Sequence, residues 1–118
     1  MRTNFKMEDK YIKMIRGDTL SFGIQIMEDN EGTPLSQDLD FAHFVCRSNN
    51  GLNQYIFDKT LSDGITKANQ GEYIVRVAPE DTKYEKVGKY FYELEIGLNG
   101  DVYTVMQGLL ELQQDVRY

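Results

Sequence analysis

From Tyr90 to Ile96 the side chains alternate: Tyr90, Tyr92, Leu94 and Ile96 fall on one face of an extended chain, and Phe91, Glu93 and Glu95 on the other. A period of two is the spacing of a β-strand with one buried face, because successive side chains of an extended chain point to opposite sides. The run ends in Gly97-Leu98-Asn99-Gly100, and Asn-Gly is a strong hairpin signal, since both residues tolerate positive φ. The returning strand is Val102 to Leu112, with Gly108 inside it as an expected bulge or bend. A hairpin of this length commits the chain to antiparallel pairing, and its apolar face has to be covered by further strands.

Those strands are legible upstream. Leu20, Phe22, Ile24 and Ile26 share one face of residues 20–26. Ala42, Phe44 and Cys46 alternate with His43, Val45 and Arg47, Tyr55 to Lys59 make a short run, and Tyr73, Val75 and Val77 make another. Tyr11 to Ile15 reads as a first strand, closed by the turn residues Gly17 and Asp18. Turn chemistry separates them at Asp29-Asn30-Glu31-Gly32, Asn49-Asn50-Gly51, Ser62-Asp63-Gly64 and Asn69-Gln70-Gly71. One segment departs from the pattern: Ala78 to Val87 has Pro79 at a favoured first-turn position, acids early, lysines late and Gly88 at its end, the order of a short helical connector. The expectation is an all-β fold, an antiparallel β-sandwich of about seven strands, with Leu20, Phe22, Ile24, Phe44, Tyr73, Val75, Tyr92 and Leu94 in its core. Either Tyr90 or Tyr92 should tie the corner at residues 79–88 through its hydroxyl, as an analogue of a tyrosine corner.

Size permits one domain over residues 1–118 and no second. No apolar run approaches the roughly 20 residues of a membrane-spanning helix, so no membrane partner is expected. The net charge of −6 argues against nucleic acid, whose affinity depends on neutralising phosphates. Charge is unevenly spread: residues 1–16 carry a local +3 and the remainder −9. A basic N-terminal arm, about residues 1–10, with Lys6, Lys10 and Lys13 as its charged positions, is therefore a candidate for docking on an acidic neighbour. No apolar leader core is visible at the start, so synthesis in a cytoplasm is expected.

Catalytic and ligand-binding patterns find little to attach to. His43 is the one histidine and has no serine or cysteine at motif spacing, so it reads as a surface or satisfied residue. Cys46 falls on an apolar strand face, where a thiol behaves as a small hydrophobe, and one cysteine can form neither an intrachain disulfide nor a structural zinc set. Glu93 and Glu95 share a solvated face. Asp29 to Gly32 lacks calcium-loop spacing, no glycine run has the form of a phosphate loop, and Arg16-Gly17-Asp18 reads as a turn. The expectation is no enzyme, no cofactor and no metal.

Four segments, taken in order, carry a resemblance: Ile15-Arg16-Gly17-Asp18-Thr19-Leu20-Ser21-Phe22, Pro79-Glu80-Asp81-Thr82, Gly88 to Ile96, and Val102 to Val116. Together they resemble the N-terminal domain of phage baseplate upper proteins, over residues 11–116. The resemblance implies an immunoglobulin-like β-sandwich acting as a non-enzymatic structural part of a tailed phage or prophage. It implies docking onto other tail or baseplate proteins, self-association into a homo-oligomer, and a place in the virion tail. The motif residues are Arg16, Gly17, Asp18, Asp81, Thr82, Gly88, Tyr90, Tyr92 and Gly108, each in a structural role. Larger members of that family continue into helical linkers and receptor-facing parts. The alternative is a bacterial surface or carbohydrate-binding β-sandwich module, which calls for an exposed aromatic platform.

Overall fold

The computed structural model describes residues 8–48 and 55–115. The expected Asn49-Asn50-Gly51 turn and Lys6 lie outside them. In chain order the elements are β1 (Glu8–Asp9), β2 (Ile12–Ile15), β3 (Leu20–Gln25), β4 (Phe41–Arg47), β5 (Tyr55–Leu61), β6 (Gly64–Asn69), β7 (Glu72–Val77), the single turn α1 (Pro79–Thr82), β8 (Gly88–Leu98) and β9 (Asp101–Gln113). The protein is nearly all β, and eight strands form one hydrogen-bonded path, β1-β9-β8-β4-β5-β6-β7-β3, with β2 also on β9. The path curls until it is nearly closed, giving a barrel-like shape.

The β8–β9 hairpin is its longest pairing. It turns at Asn99 and Gly100, whose φ values of 56° and 84° are those of a type I′ turn. Gly108 pairs with Tyr92 in register. The expected irregularity lies three residues earlier: Leu94 faces Met106 while Glu95 faces Thr104, which leaves Val105 as the extra residue. An isolated glycine signals backbone latitude, and here the bulge formed at a β-branched residue instead.

Two further features depart from the expectation. The N-terminal strands join β9 in parallel, with Glu8 beside Met106 and Ile12 to Ile15 beside Leu110 to Gln113. Sequence alternation carries no information on direction, and the partner comes from the opposite end of the chain. The second is β6, which has no apolar period because only Ile65 is buried and residues 66–69 are exposed. The Ser62-Asp63-Gly64 signal belongs to the corner that joins it to β5, where Thr60 and Leu61 sit beside Gly64 and Ile65.

Phe44 is the centre of the core. It is fully buried, and the rings of Phe22, Phe57 and Tyr92 stand 5.3, 5.6 and 5.6 Å from its own. Tyr73, Val75, Tyr92 and Leu94 are buried as expected. Leu20, Phe22 and Ile24 are only half-buried, because β3 is the last strand on the path and has a sheet neighbour on one side only among the described residues. Core side chains also come from the irregular segment before β4: Leu35 and Leu39 are buried. That segment is held by Ile26 N–H donating to the Gly71 carbonyl and Leu35 N–H donating to the Ile26 carbonyl. Gly71 permits the approach, with φ of 72° and a hypothetical Cβ only 2.7 Å from the Ile26 oxygen.

Candidate functional site

Several of the sequence-predicted motif residues meet at one place. Arg16, just past β2, donates from its guanidinium to the Glu85 carbonyl at 3.1 Å and to Asp115 at 2.9 Å. Gly17 N–H donates to the Thr82 hydroxyl oxygen at 2.9 Å, and Thr82 is fully buried. Asp81 accepts from the Ala78 N–H at 2.7 Å and lies 2.8 Å from the Lys59 ammonium, a mostly covered pair. Asp18 N–H closes the turn on the Ile15 carbonyl. Residues near 16, 60, 82 and 115 are thereby locked together by charge-assisted and buried hydrogen bonds, which are stronger than neutral exposed ones. This is a clamp joining β2, β5, α1 and the end of β9. Lys59, Glu85 and Asp115 belong to it without having stood out in the sequence, because nothing in their local pattern reports a partner so distant along the chain.

Both tyrosines of the motif are tied. Tyr90 donates its hydroxyl to the Lys86 carbonyl at 2.6 Å, the expected corner tie, and Gly88 opens β8 between them. Partial burial and the nearby Glu85 carboxylate hold the Tyr90 phenol above its ordinary pKa. Tyr92 reaches elsewhere, donating to the Lys10 carbonyl at 2.6 Å. Tyr11 donates to Glu111, which raises the phenol and lowers the carboxylate. The described part of the basic arm thus lies on β9: Lys10 N–H donates to the Gln107 carbonyl, and the exposed Lys13 ammonium stands 5.8 Å from the Tyr11 ring.

A second arrangement occupies the outer face of β5, β4 and β8. His43 Nδ1 lies 3.0 Å from Asp58, and cross-strand register puts Glu95 beside His43 and Glu93 beside Val45. They surround a shallow hollow of about 240 Å³, with the exposed Tyr55 and Phe91 also lining it. The face offers carboxylates, an imidazole and Arg47 between two aromatic rings, the chemistry of a surface that holds a polar ligand or the polar side chains of another protein. Cys46 points the other way and is fully buried, and burial pushes its thiol up to about 12. Asp29 closes its own loop, accepting from the Glu31 and Thr33 amides. Hydrogen bonds from Thr33, side chain first, hold that carboxyl below its usual range. Among the described residues no group of three or more histidine, cysteine, aspartate or glutamate side chains is placed to hold a metal ion, and no helix is long and apolar enough to cross a membrane.

No family model matches the chain, and no curated protein does.

Proposed function

We propose that this protein is a non-enzymatic structural component of a tailed phage or prophage, a baseplate or tail interaction module that self-associates and docks on other tail proteins in the virion. The observation that carries the reading is the clamp. Arg16, Gly17, Asp81, Thr82 and the β8–β9 hairpin come from the segments that resemble baseplate upper proteins, and they interlock in one rigid unit. Rigid clamped surfaces suit an assembly part, whose interface has to be preorganised to dock without a large ordering cost.

We read the sheet as an immunoglobulin-like β-sandwich. Layer β2-β9-β8-β4-β5 would face layer β6-β7-β3, and the two-residue β5–β6 contact would be the corner between them. In support, the Tyr90 tie to a carbonyl four residues upstream at the start of β8 has the form of a tyrosine corner.

Purified tail particles from an induced host test the function. The reading expects this chain in intact tails by mass spectrometry, at a fixed ratio to the other baseplate proteins; its absence from infectious tails would overturn it. The carbohydrate-binding reading keeps one observation in its favour, the exposed Tyr55 and Phe91 beside the hollow at His43 and Asp58. Glycan-array binding abolished by Tyr55→Ala would favour it over the phage reading.

A further inference from the structure

On the outer face of the sheet, cross-strand register lines up Tyr55, Arg47, Phe91 and Leu109 in one row across β5, β4, β8 and β9. Residues in register on neighbouring strands point to the same face. Tyr11, tied to Glu111 on β9, extends the row at the β2 side and borders a hollow of about 430 Å³ together with Arg47, Phe91 and Leu109. That hollow meets the one at His43 and Asp58 at Arg47 and Phe91. Tyr11, Tyr55 and Phe91 are three of the seven large apolar side chains that are exposed among the described residues. Gathered in one row they form a patch, and exposed apolar patches mark interaction surfaces where scattered single residues do not.

Charge is ordered about this row. On one side Lys89 and Lys13 flank Glu111 in register, and both lysines are exposed. On the other side Glu93 and Asp58 stand to either side of Val45, and Glu95 follows beside His43. One flank is net basic and the other acidic.

We infer that this face is the contact between two copies of the chain, packed outer face to outer face about a two-fold axis that runs along the row. The inference rests on the self-association in the reading above and assigns it a surface. Self-complementarity chooses the occupant, because an isologous contact has to match itself after a half turn. A half turn about the row lays Phe91 on its counterpart. It brings Lys89, two residues to one side of Phe91, over Glu93, two residues to the other, and symmetry makes that pair twice. A half turn about the strand direction would set lysine on lysine and glutamate on glutamate, which like-charge repulsion disfavours. Arg47 lies in the row and meets its own copy, and Asp58 and Glu93, bordering the same hollow, supply its counter-charges. The row crosses five strands, about 19 Å. That is small beside a standard interface, so the dimer belongs to the weak, transient class.

Sedimentation equilibrium of the full-length protein, from about 10 µM to about 1 mM, tests the contact. The inference expects a reversible monomer–dimer equilibrium that Phe91→Ser weakens about tenfold, with an unchanged circular dichroism spectrum. Lys89→Glu and Glu93→Lys should each weaken it too, because like charges then face each other. An equimolar mixture of those two variants should form a heterodimer at least as readily as the native chain dimerises, since every facing pair is again opposite. A native chain that stays monomeric at the highest concentration would overturn the inference. So would a dimer unmoved by Phe91→Ser, or a mixture that associates no better than its separate components. The tail reading is judged apart from this, by the chain's presence in purified tails: a monomer found there at a fixed ratio would remove this contact and leave that reading standing.

Discussion

At Tyr90 a single hydroxyl joins a strand to the connector before it. Tyr90→Phe deletes that donor and keeps the ring, so it should cost on the order of 1 kcal/mol in urea unfolding, with native spectra retained; a neutral variant would show that the bond contributes nothing. Cys46 offers a sharper readout. Its folded-state pKa is raised from 9.0 to about 12 by burial, with the Glu85 charge a smaller cause. The thiol therefore favours folding fully below pH 9, and that contribution declines as pH rises towards about 12, because only the unfolded chain releases the proton. The expected loss is at most about 1.4 kcal/mol per pH unit. Urea midpoints at pH 8 and pH 10 should diverge more for the native chain than for Cys46→Ala, and the folded thiol should resist alkylation.

At the scale of elements, the clamp and the edge strand β3 differ in how they are held. Thr82→Val keeps the volume at a fully buried position but leaves the Gly17 N–H without its acceptor, so about 1–3 kcal/mol should be lost. Because the clamp joins β2 to α1, hydrogen exchange should quicken first in Ile12 to Ile15. The edge position of β3 sets apart two phenylalanines in contact. Phe44→Ala opens a cavity at a fully buried site and should cost about 3–5 kcal/mol. Phe22 on the edge strand β3 is half-buried and has less transfer free energy to lose, so Phe22→Ala should cost about half as much or less. Equal losses in denaturant titrations would mean that Phe22 is as fully covered in solution as Phe44.

For the whole molecule, the charge division is what bears on assembly. Residues 1–16 carry +3 against −9 in the rest of the chain, and the described lysines of that segment, Lys10 and Lys13, are exposed on the β9 edge. If the protein assembles as proposed, opposite charges on that segment and on the body would steer copies, or a tail partner, into a preferred orientation. Association should weaken as salt shortens the Debye length from about 10 Å at 0.1 M to about 3 Å at 1 M. It should weaken likewise in the triple variant Lys6→Glu, Lys10→Glu, Lys13→Glu. Sedimentation velocity at both salt concentrations checks this, and a coefficient unmoved by salt and substitution would remove the arm from assembly.

The sequence alone determined the strands whose burial is one-sided. Alternation in β3, β4, β7 and β8, the Asn99-Gly100 turn and the Pro79-to-Gly88 connector all report local geometry through local residues, and the structure has each of them. Arg16, Gly17, Asp18 and Gly88 were legible as turn and strand-end residues for the same reason, and so was the Tyr90 tie, which spans four residues, whereas the bulge expected at Gly108 formed at Val105. Tertiary structure alone decided what depends on distant partners. It set the parallel seating of β1 and β2 on the last strand, the burial of Leu35 and Leu39 from an irregular segment, and the polar strand β6. It also brought Lys59, Glu85 and Asp115 to Arg16, Asp81 and Thr82. A side-chain period records which face of a strand is dry, but not which strand lies beside it or in which direction; those follow from the one packing that satisfies all the faces together.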